Sequence, residues 1–419
     1  MIIGIPTETD LGETRVAVVP PVAADLVDDG FDISVASGAG EPSEWSDEDY
    51  RDAGCDVVDD REMVFERADI VTQVTGLGAA KDDDIDLYRQ EQIVVGLLGP
   101  YDLDEELTLL ANRGVTAFAL ELMPRISRAQ SMDALSSMAS IGGYKSAVVA
   151  AERLPKMFPL QMTAAGTVQP AEVFVIGAGV AGLQAIATAD RLGASVRGYD
   201  IRLEVKQEVE SLGADFVELD LETEGSGDEQ GYAREMDDEF LRQQRAELTR
   251  VVGESDVVIT TAAIPGKPAP ELVTTEMMTG MDPGSIIIDL SAATGGNCEL
   301  TVPDETVEHD GVDIYGPTNL PATVPHHASQ LYANNIWNFL QNMFQEDGQI
   351  LDVDDEVVDS TMLTHGGEVH WIHPAKRDGE QGDDSNDDED NPGANRDTDS
   401  DGNEDPEMND DTEEAETDA

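Results

Sequence analysis

Apolar positions in the first hundred residues alternate between strand-like and helix-like spacing. Short apolar runs at residues 2–6, 33–36, 70–74 and 93–98 predict buried strands. Residues 20–30 predict a helix, because proline opens this stretch and glycine follows its end. Strands that alternate with helices are typical of a parallel α/β layer.

The remaining pattern predicts a second layer of the same kind. Residues 127–157 have helical spacing, and we expect a long helix there that joins two domains. A last helix over residues 328–344 is expected to return to the first domain. Further strands are predicted at residues 172–176, 195–199, 257–260, 285–290 and 313–316. We therefore predict an α/β fold with two Rossmann-like domains, which have parallel sheets, are joined by long helices and enclose a cleft.

The same pattern suggests the domain boundaries. Residues 1–126 and 322–376 form the first predicted domain, and residues 127–321 form the second. Residues 377–419 are rich in Asp, Glu, Asn and Gly and nearly free of apolar side chains, so we expect a disordered acidic tail. A solubilising role and a docking role for this tail both remain open.

The charge of the chain excludes some partners. With 89 acidic and 24 basic residues, the formal net charge is −65. Residues 378–419 hold 20 acidic residues and one basic residue, so −19 lies there and −46 remains on residues 1–377. Such a field repels nucleic acid and anionic lipid, and it favours a salt-rich, halophilic cytoplasm that screens self-repulsion.

Other broad features suggest a cytoplasmic protein. The two cysteines form no disulfide framework, and we predict no signal peptide, no membrane span and no metal site. All six histidines lie after residue 308 and lack the spacing of a metal motif.

A glycine-rich turn carries the main chemical signal of the sequence. Gly177, Gly179 and Gly182 follow the strand at residues 172–176 and open a helix. The first glycine permits a tight turn, the second lets the backbone approach a pyrophosphate, and the third lets the helix pack on the strand. The helix N-terminus supplies N–H donors to the phosphates. We therefore predict a dinucleotide site that includes Ala178 and Val180.

An acidic residue indicates which dinucleotide binds. Asp200 ends the second strand of the predicted domain, about 20 residues after the turn, where a carboxylate binds the ribose 2′-hydroxyl. A carboxylate there repels a 2′-phosphate, so NAD(H) is favoured over NADP(H). Ile201 and Arg202 complete this predicted segment, although the charge of Arg202 weakens the preference.

Two more segments are expected at this site. Residues 225–232 resemble a mobile lid in which Tyr232 closes over the nucleotide, and an ordinary surface loop is the alternative. Residues 260–270 follow a strand end, where open α/β sheets bind ligands. We assign to the NAD(H) crevice the backbone of five residues in this stretch: Thr261, Ala262, Ala263, Pro265 and Gly266.

Several long motifs resemble the NAD(H)-binding domain of NAD(P) transhydrogenase alpha subunits. The most specific is the run from Pro124 to Ser137, PRISRAQSMDALSS. The glycine turn also belongs to the resemblance, as do residues 4–6, 13–17, 162–166, 260–270 and 295–299. Together these motifs extend over nearly all of residues 1–375.

The resemblance implies a nicotinamide-positioning cluster. Arg125, Gln130, Asp133 and Ser136 would hold the nicotinamide end of NADH and its ribose, with Arg125 paired to Asp133. Gln130 would bridge toward a second nucleotide, NADP(H), carried by a partner subunit. A capped helix start with a surface ion pair is the alternative interpretation of these four residues.

Alanine dehydrogenase is the sister family and the competing enzyme. Amino-acid dehydrogenation requires a cation for the carboxylate and acid/base groups, which that family supplies with an Arg, a Lys, a His and an Asp. Arg15 is present. Gln73 stands at the Lys position, no His occurs near residues 94–99, and Ala293-Thr294 replaces the Asp. We therefore expect no amino-acid dehydrogenation.

The resemblance further implies a multi-subunit enzyme. It predicts a homodimer at the inner face of the cell membrane, bound to an NADP(H)-binding beta subunit and a membrane subunit that carries the proton path. Since no spanning helix is predicted here, the split-subunit arrangement is favoured. A non-enzymatic NAD(H)-binding sensor is a third possibility, which the intact run at residues 125–136 opposes.

Overall fold

The computed structural model describes residues 1–78, 83–218, 238–343 and 353–374. The strands of this part of the chain are β1 Ile2–Ile5, β2 Asp32–Ala36, β3 Asp56–Val58, β4 Ile70–Thr75, β5 Ile93–Leu97, β6 Thr116–Ala119, β7 Gln161–Thr163, β8 Gly166–Val168, β9 Glu172–Ile176, β10 Ser195–Tyr199, β11 Asp215–Phe216, β12 Val257–Thr260, β13 Ile286–Asp289, β14 Thr306–His309, β15 Val312–Tyr315, β16 Met362–His365 and β17 Glu368–Val369. The helices are α1 Pro20–Asp28, α2 Asp47–Asp52, α3 Arg61–Arg67, α4 Glu105–Arg113, α5 Ala134–Arg153, α6 Val180–Arg191, α7 Lys206–Ser211, α8 Asp238–Gly253, α9 Thr275–Met278, α10 Pro325–Met343 and α11 Glu356–Thr361.

Two large sheets share one topology. The first has the order β17-β16-β6-β5-β4-β1-β2-β3, and the second has the order β11-β10-β9-β12-β13-β15-β14. Each contains six parallel strands in the doubly wound 3-2-1-4-5-6 order; the first sheet adds β16 and β17 at one edge through antiparallel pairing, and the second adds β14. The predicted fold of two Rossmann-like α/β domains is therefore confirmed. This topology reverses direction between β1 and β4 and between β9 and β12, where ligands bind in open α/β sheets.

The central strands are buried on both faces, which explains their continuous apolar runs. Every residue of β12 and β13 is buried, and in β9 only Glu172 is partly exposed. Their side chains divide between two apolar clusters, one on each side of the second sheet. The predicted strands at 172–176, 195–199 and 257–260 have the same bounds in the structure.

Helix α5 links the two cores. Met138 and Ile141 in its first half belong to the core of the first sheet, while Ala147 and Ala150 belong to the core of the second. Helix α10 lies in the first core. Residues from Met1 to His373 form one compact unit. The chain thus runs from the core of the first sheet to the core of the second along α5.

One local expectation was wrong, and one hairpin was not predicted. The helix predicted from residue 127 is a 3-10 segment over Ser127–Met132, and α5 begins only after Asp133, whose carboxylate accepts the Ser136 amide as an N-cap. Residues 161–168, for which we predicted no element, form the hairpin β7-β8, and every residue of its strands is exposed.

Candidate functional site

The glycine turn lies at the point where the second sheet reverses direction. Gly177 follows β9 with φ +97°, and a Cβ there would lie 2.5 Å from Thr261 Oγ1. A Cβ on Gly182 would lie 1.8 Å from the Gly177 carbonyl oxygen. Both positions therefore require glycine for packing within the protein. Gly179 differs, because a Cβ there would meet no heavy atom within 4 Å.

Helix α6 presents its N-terminus at this turn. Gly179 is the N-cap residue, and no side chain provides a capping hydrogen bond. The first N–H groups of a helix lack partners within the helix and carry positive potential. Val180 is exposed at this end, and Ala178 is buried beside it. The arrangement fits the phosphates of a dinucleotide, which accept such hydrogen bonds.

Asp200 already holds four hydrogen bonds. Its carboxylate accepts the Ala178 amide at 2.8 Å, and from Arg202 it accepts the amide at 2.8 Å, Nε at 3.0 Å and Nη2 at 2.9 Å. Asp200 is 6 % exposed, so little water competes. A carboxylate offers about four acceptor directions, so a ribose hydroxyl must share or displace one of these donors. Arg202 is thus bound to Asp200 here, a contact that the sequence did not reveal.

The segment 261–266 begins directly beside the turn. Thr261 donates its amide to Ile176 O at 2.8 Å and its hydroxyl to Gly177 O at 3.0 Å. Ala263, Pro265 and Gly266 are exposed. The structure therefore brings the start of this predicted segment to the glycine turn, at the ends of the paired strands β9 and β12, while Gly266 lies against Tyr101.

A buried polar network that we did not predict supports this segment. Asn297 is fully buried; its Oδ1 accepts the Ala262 amide at 3.0 Å and its Nδ2 donates to Ala262 O at 2.8 Å. Asp289, also fully buried, accepts the Asn297 amide at 2.7 Å and the Thr301 hydroxyl at 2.6 Å. Ser291 adds a hydrogen bond to Ala262 O at 2.9 Å. The only sequence signal was the motif at residues 295–299.

The four residues predicted to position the nicotinamide line one cavity. Its volume is about 290 Å³, and its walls also include Pro124, Ile126 and Ala129. The Ser136 hydroxyl donates to Asp133 Oδ2 at 2.6 Å, so the two polar groups at the start of α5 hold each other in place. The other two predicted residues, Arg125 and Gln130, are exposed at the same cavity.

The equivalent reversal point in the first sheet is filled by protein groups. Gln73 of β4 is fully buried; its Nε2 donates to Asp84 at 2.8 Å and its Oε1 accepts the Tyr88 hydroxyl at 2.6 Å. Arg61 forms an ion pair with Asp84. Both ends of the Gln73 amide are thus bound to protein partners, and an amide cannot serve as the acid/base group that a lysine would supply at this position.

Arg15 is likewise bound within the protein. It is 6 % exposed, and its Nε and Nη2 donate to Glu13 at 2.8 and 2.5 Å. Burial acts to raise the pKa of Glu13, but the hydrogen bonds and charge of Arg15 outweigh it and lower that pKa. Burial raises the pKa of nearby Glu8 to about 8, against the opposing hydrogen bonds from the Val74 and Thr75 amides.

Two predicted features lie outside the described residues. Tyr232 and its lid belong to residues 219–237, and the acidic tail belongs to residues 375–419. Among the described helices, none is both long and apolar enough to cross a bilayer.

Comparison with known families agrees with this architecture. The family described as "Alanine dehydrogenase/PNT, N-terminal domain" matches residues 4–142, and its C-terminal counterpart matches residues 146–372. The two matches correspond to the two doubly wound sheets, and the glycine turn lies in the second. The chain belongs to the alanine dehydrogenase/PNT family.

Within this family, the chain is more similar to transhydrogenase subunits than to alanine dehydrogenases. A Rhodospirillum rubrum protein, named as the first portion of NAD(P) transhydrogenase subunit alpha, is 43 % identical over 380 residues, which is 90 % of this chain and 98 % of that protein. The crystal structure of transhydrogenase from Sinorhizobium meliloti has a TM-score of 0.79 and 42 % identity, and the match covers 88 % of this chain and all of that one. Alanine dehydrogenase of Mycolicibacterium smegmatis is 28 % identical over 377 residues, 88 % of this chain and 94 % of that protein.

Proposed function

We propose that this chain is the NAD(H)-binding subunit of a proton-translocating NAD(P) transhydrogenase. Its residues would bind NADH so that hydride passes directly to NADP+ held by a partner subunit. The observation that carries this proposal is the cavity lined by Arg125, Gln130, Asp133 and Ser136 at the start of α5. This helix packs against α6, whose N-terminus forms the glycine turn.

The cavity suits a reaction that needs positioning rather than proton transfer. Transfer of hydride between two nicotinamides moves no proton, so the protein must supply only proximity and orientation. Asp133 and Ser136 hold each other, which leaves them as fixed polar contacts for a carboxamide or ribose. Gln130 is exposed at the cavity and would reach toward the second nucleotide.

The adenosine half of the site favours NAD(H). Phosphates would accept hydrogen bonds from the N-terminus of α6, and the ribose would meet Asp200. A 2′-phosphate would meet the same carboxylate and be repelled. Arg202 would offset this repulsion only by giving up its contacts with Asp200, which include two side-chain hydrogen bonds. NADP(H) therefore belongs on the partner subunit in this proposal.

The exposed hairpin β7-β8 supports a homodimer. Met162 is 76 % exposed and Val168 is 44 % exposed, and Leu160 beside the hairpin is 51 % exposed. A two-stranded hairpin without cover is marginally stable in water. A second copy of the chain would cover this apolar surface. The complex would also include an NADP(H)-binding beta subunit and a membrane subunit, which would place this chain at the inner face of the cell membrane, in the cytoplasm.

Alanine dehydrogenation is the first alternative function. The contacts of Gln73 and Arg15 argue against this reaction, because both side chains are bound to protein groups and not offered to a substrate. A non-enzymatic NAD(H) sensor is the second alternative, and it would need no cavity for the nicotinamide.

A reconstitution assay separates these three functions. The purified chain should bind NADH and should reduce neither pyruvate nor NADP+ by itself, but it should transfer hydride when mixed with the NADP(H)-binding subunit. Oxidation of NADH by the lone chain with pyruvate would favour the dehydrogenase, and no transfer with the partner would favour the sensor.

A single substitution tests the assigned cavity in the same assay. Gln130→Asn retracts the amide by one methylene, so it should slow hydride transfer and leave NADH affinity largely unchanged. Gln341→Asn makes the same chemical change on the exposed part of α10 and serves as the control. A large loss of affinity with normal turnover in Gln130→Asn would contradict the assigned role.

A further inference from the structure

Helices α5 and α6 touch backbone to backbone at one residue. A Cβ on Gly143 would lie 2.0 Å from the carbonyl oxygen of Ala181, 2.8 Å from its carbonyl carbon and 3.0 Å from its Cα. Real Cβ atoms essentially never approach other heavy atoms within 3.0 Å. Because these neighbours are backbone atoms of a helix, no side-chain rotation can relieve the contact. The crossing therefore requires glycine at position 143.

This crossing joins the two halves of the proposed NADH site. The cavity for the nicotinamide lies at the start of α5, where Asp133 and Ser136 hold each other. Ala181 lies in the first turn of α6, directly after the glycine turn for the pyrophosphate. A helix rises about 1.5 Å per residue, so about 10 Å of α5 separates Ser136 from Gly143. A shift at Gly143 is thus passed through a rigid helix to the cavity.

We propose that Gly143 is a positioning residue for hydride transfer, because it sets the distance between the nicotinamide cavity and the glycine turn. The proposal rests on the proposed transhydrogenase function. Gly143 would touch neither nucleotide. It would act through α5, whose N-terminal residues contact the nicotinamide and its ribose.

The expected effect follows from the distances. To bring a Cβ from 2.0 Å to an ordinary contact of 3.4 Å or more, the helices must separate by more than 1 Å. Misplacement of reacting groups by about 1 Å can cost on the order of 100-fold in rate. The groups assigned to the adenosine and pyrophosphate all lie on the second domain and would move together. Gly143→Ala should therefore lower the rate of hydride transfer and leave the affinity for the adenosine half nearly unchanged.

The neighbouring glycine provides a matched control. Gly142 is also buried in α5, yet a Cβ there would meet nothing within 4 Å. Gly142→Ala therefore makes the same change in helix propensity and composition one residue away, without the contact to α6. Any difference between the two variants reports the crossing alone.

The experiment uses the full chain with three measurements. AMP binding reports the adenosine half, the emission of bound NADH reports the surroundings of the nicotinamide, and hydride transfer with the NADP(H)-binding subunit reports the reaction. We expect Gly143→Ala to bind AMP within about threefold of the unmodified chain. Its bound NADH should shift in emission toward free NADH, and its transfer rate should fall about 100-fold. Gly142→Ala should match the unmodified chain in all three.

Two results would overturn the inference. One is a transfer rate in Gly143→Ala within twofold of the unmodified chain, and the other is a loss of AMP affinity as large as the loss of rate. If Gly143→Ala does not fold, the same criteria apply to Ala147→Val, which enlarges a fully buried residue one turn further along α5, in the core that it shares with Ala185. Absence of transfer by the unmodified chain with its partner would contradict the proposed function instead.

Discussion

The substitution Gly179→Ala tests whether the glycine turn binds the pyrophosphate, because it should affect NADH binding much more than the stability of the fold. The backbone at Gly179 has φ −78° and ψ −166°, which alanine adopts without strain, and a Cβ there would meet no protein atom within 4 Å. The folded protein should therefore accept the change. Gly→Ala at a compatible position usually stabilises by about 0.4–1 kcal/mol, because the unfolded chain loses conformational freedom. Gly179 is also the N-cap of α6, where alanine is less favourable than glycine, so the two effects oppose each other.

The same methyl group should obstruct the ligand. If the pyrophosphate approaches the first turn of α6, as we propose, the new Cβ occupies the space that glycine leaves open. Loss of one hydrogen bond to a charged phosphate costs about 1.5–3 kcal/mol, or roughly 10- to 100-fold in Kd. Gly182→Ala provides the contrast, because its Cβ would lie 1.8 Å from the Gly177 carbonyl oxygen and should destabilise the fold itself.

Calorimetric titration with NADH and thermal unfolding without ligand measure the two effects. Gly179→Ala should change the unfolding temperature little and weaken NADH binding at least tenfold. Gly142→Ala, another open position, should leave the affinity for NADH unchanged and keep or raise the unfolding temperature. If Gly179→Ala binds NADH as tightly as the unmodified chain, the pyrophosphate does not lie against this turn and the site assignment is wrong.

Three further predictions concern specificity, pH and salt. Asp200→Ser should raise the ratio of NADPH to NADH affinity at least tenfold in the same titration, because it removes the repulsive carboxylate and releases Arg202; an unchanged ratio would contradict the assigned role of Asp200. Since burial raises the pKa of Glu8 to about 8 from 4.5, the folded chain binds a proton there that the unfolded chain releases, and stability should fall as the pH rises from about 4.5 to 8. Glu8→Gln should lessen this fall in denaturant titrations at pH 5 and 8, and an equal fall in both proteins would refute the assignment. With a net charge of −65, the chain should unfold at a higher temperature in molar KCl than in dilute buffer, and equal temperatures would rule out screening as a source of stability.

Most of the parallel strands could be predicted because they are buried on both faces, although β3, β6 and β11 were not predicted. Residues 172–176 and 257–260 are continuous apolar runs, and the structure gives them the same bounds as β9 and β12. The glycine spacing predicted the turn for a similar reason, since two of its glycines are required by contacts within the protein. Sequence pattern thus reported the features that local burial and local packing determine.

Features that depend on distant contacts could not be predicted. Asn297 supports the segment after β12 across 35 residues of sequence, and its hydrophobic and polar pattern does not distinguish it from a surface asparagine; only the motif at residues 295–299 marked it. The hairpin β7-β8 lacks a buried face within one chain, so it has no alternation for a pattern to detect. Gly143 and Gly142 look alike in the sequence, and only the crossing with α6 separates their roles.

The central claim is direct transfer of hydride between nicotinamides on two chains, and isotope transfer tests it most directly. NADH that carries deuterium at the transferred C4 position would be incubated with this chain, the NADP(H)-binding subunit and NADP+. Because no acid/base group takes part, the account predicts that the deuterium appears in NADPH and none enters water. Deuterium in the solvent, or NADPH formed without the label, would contradict it.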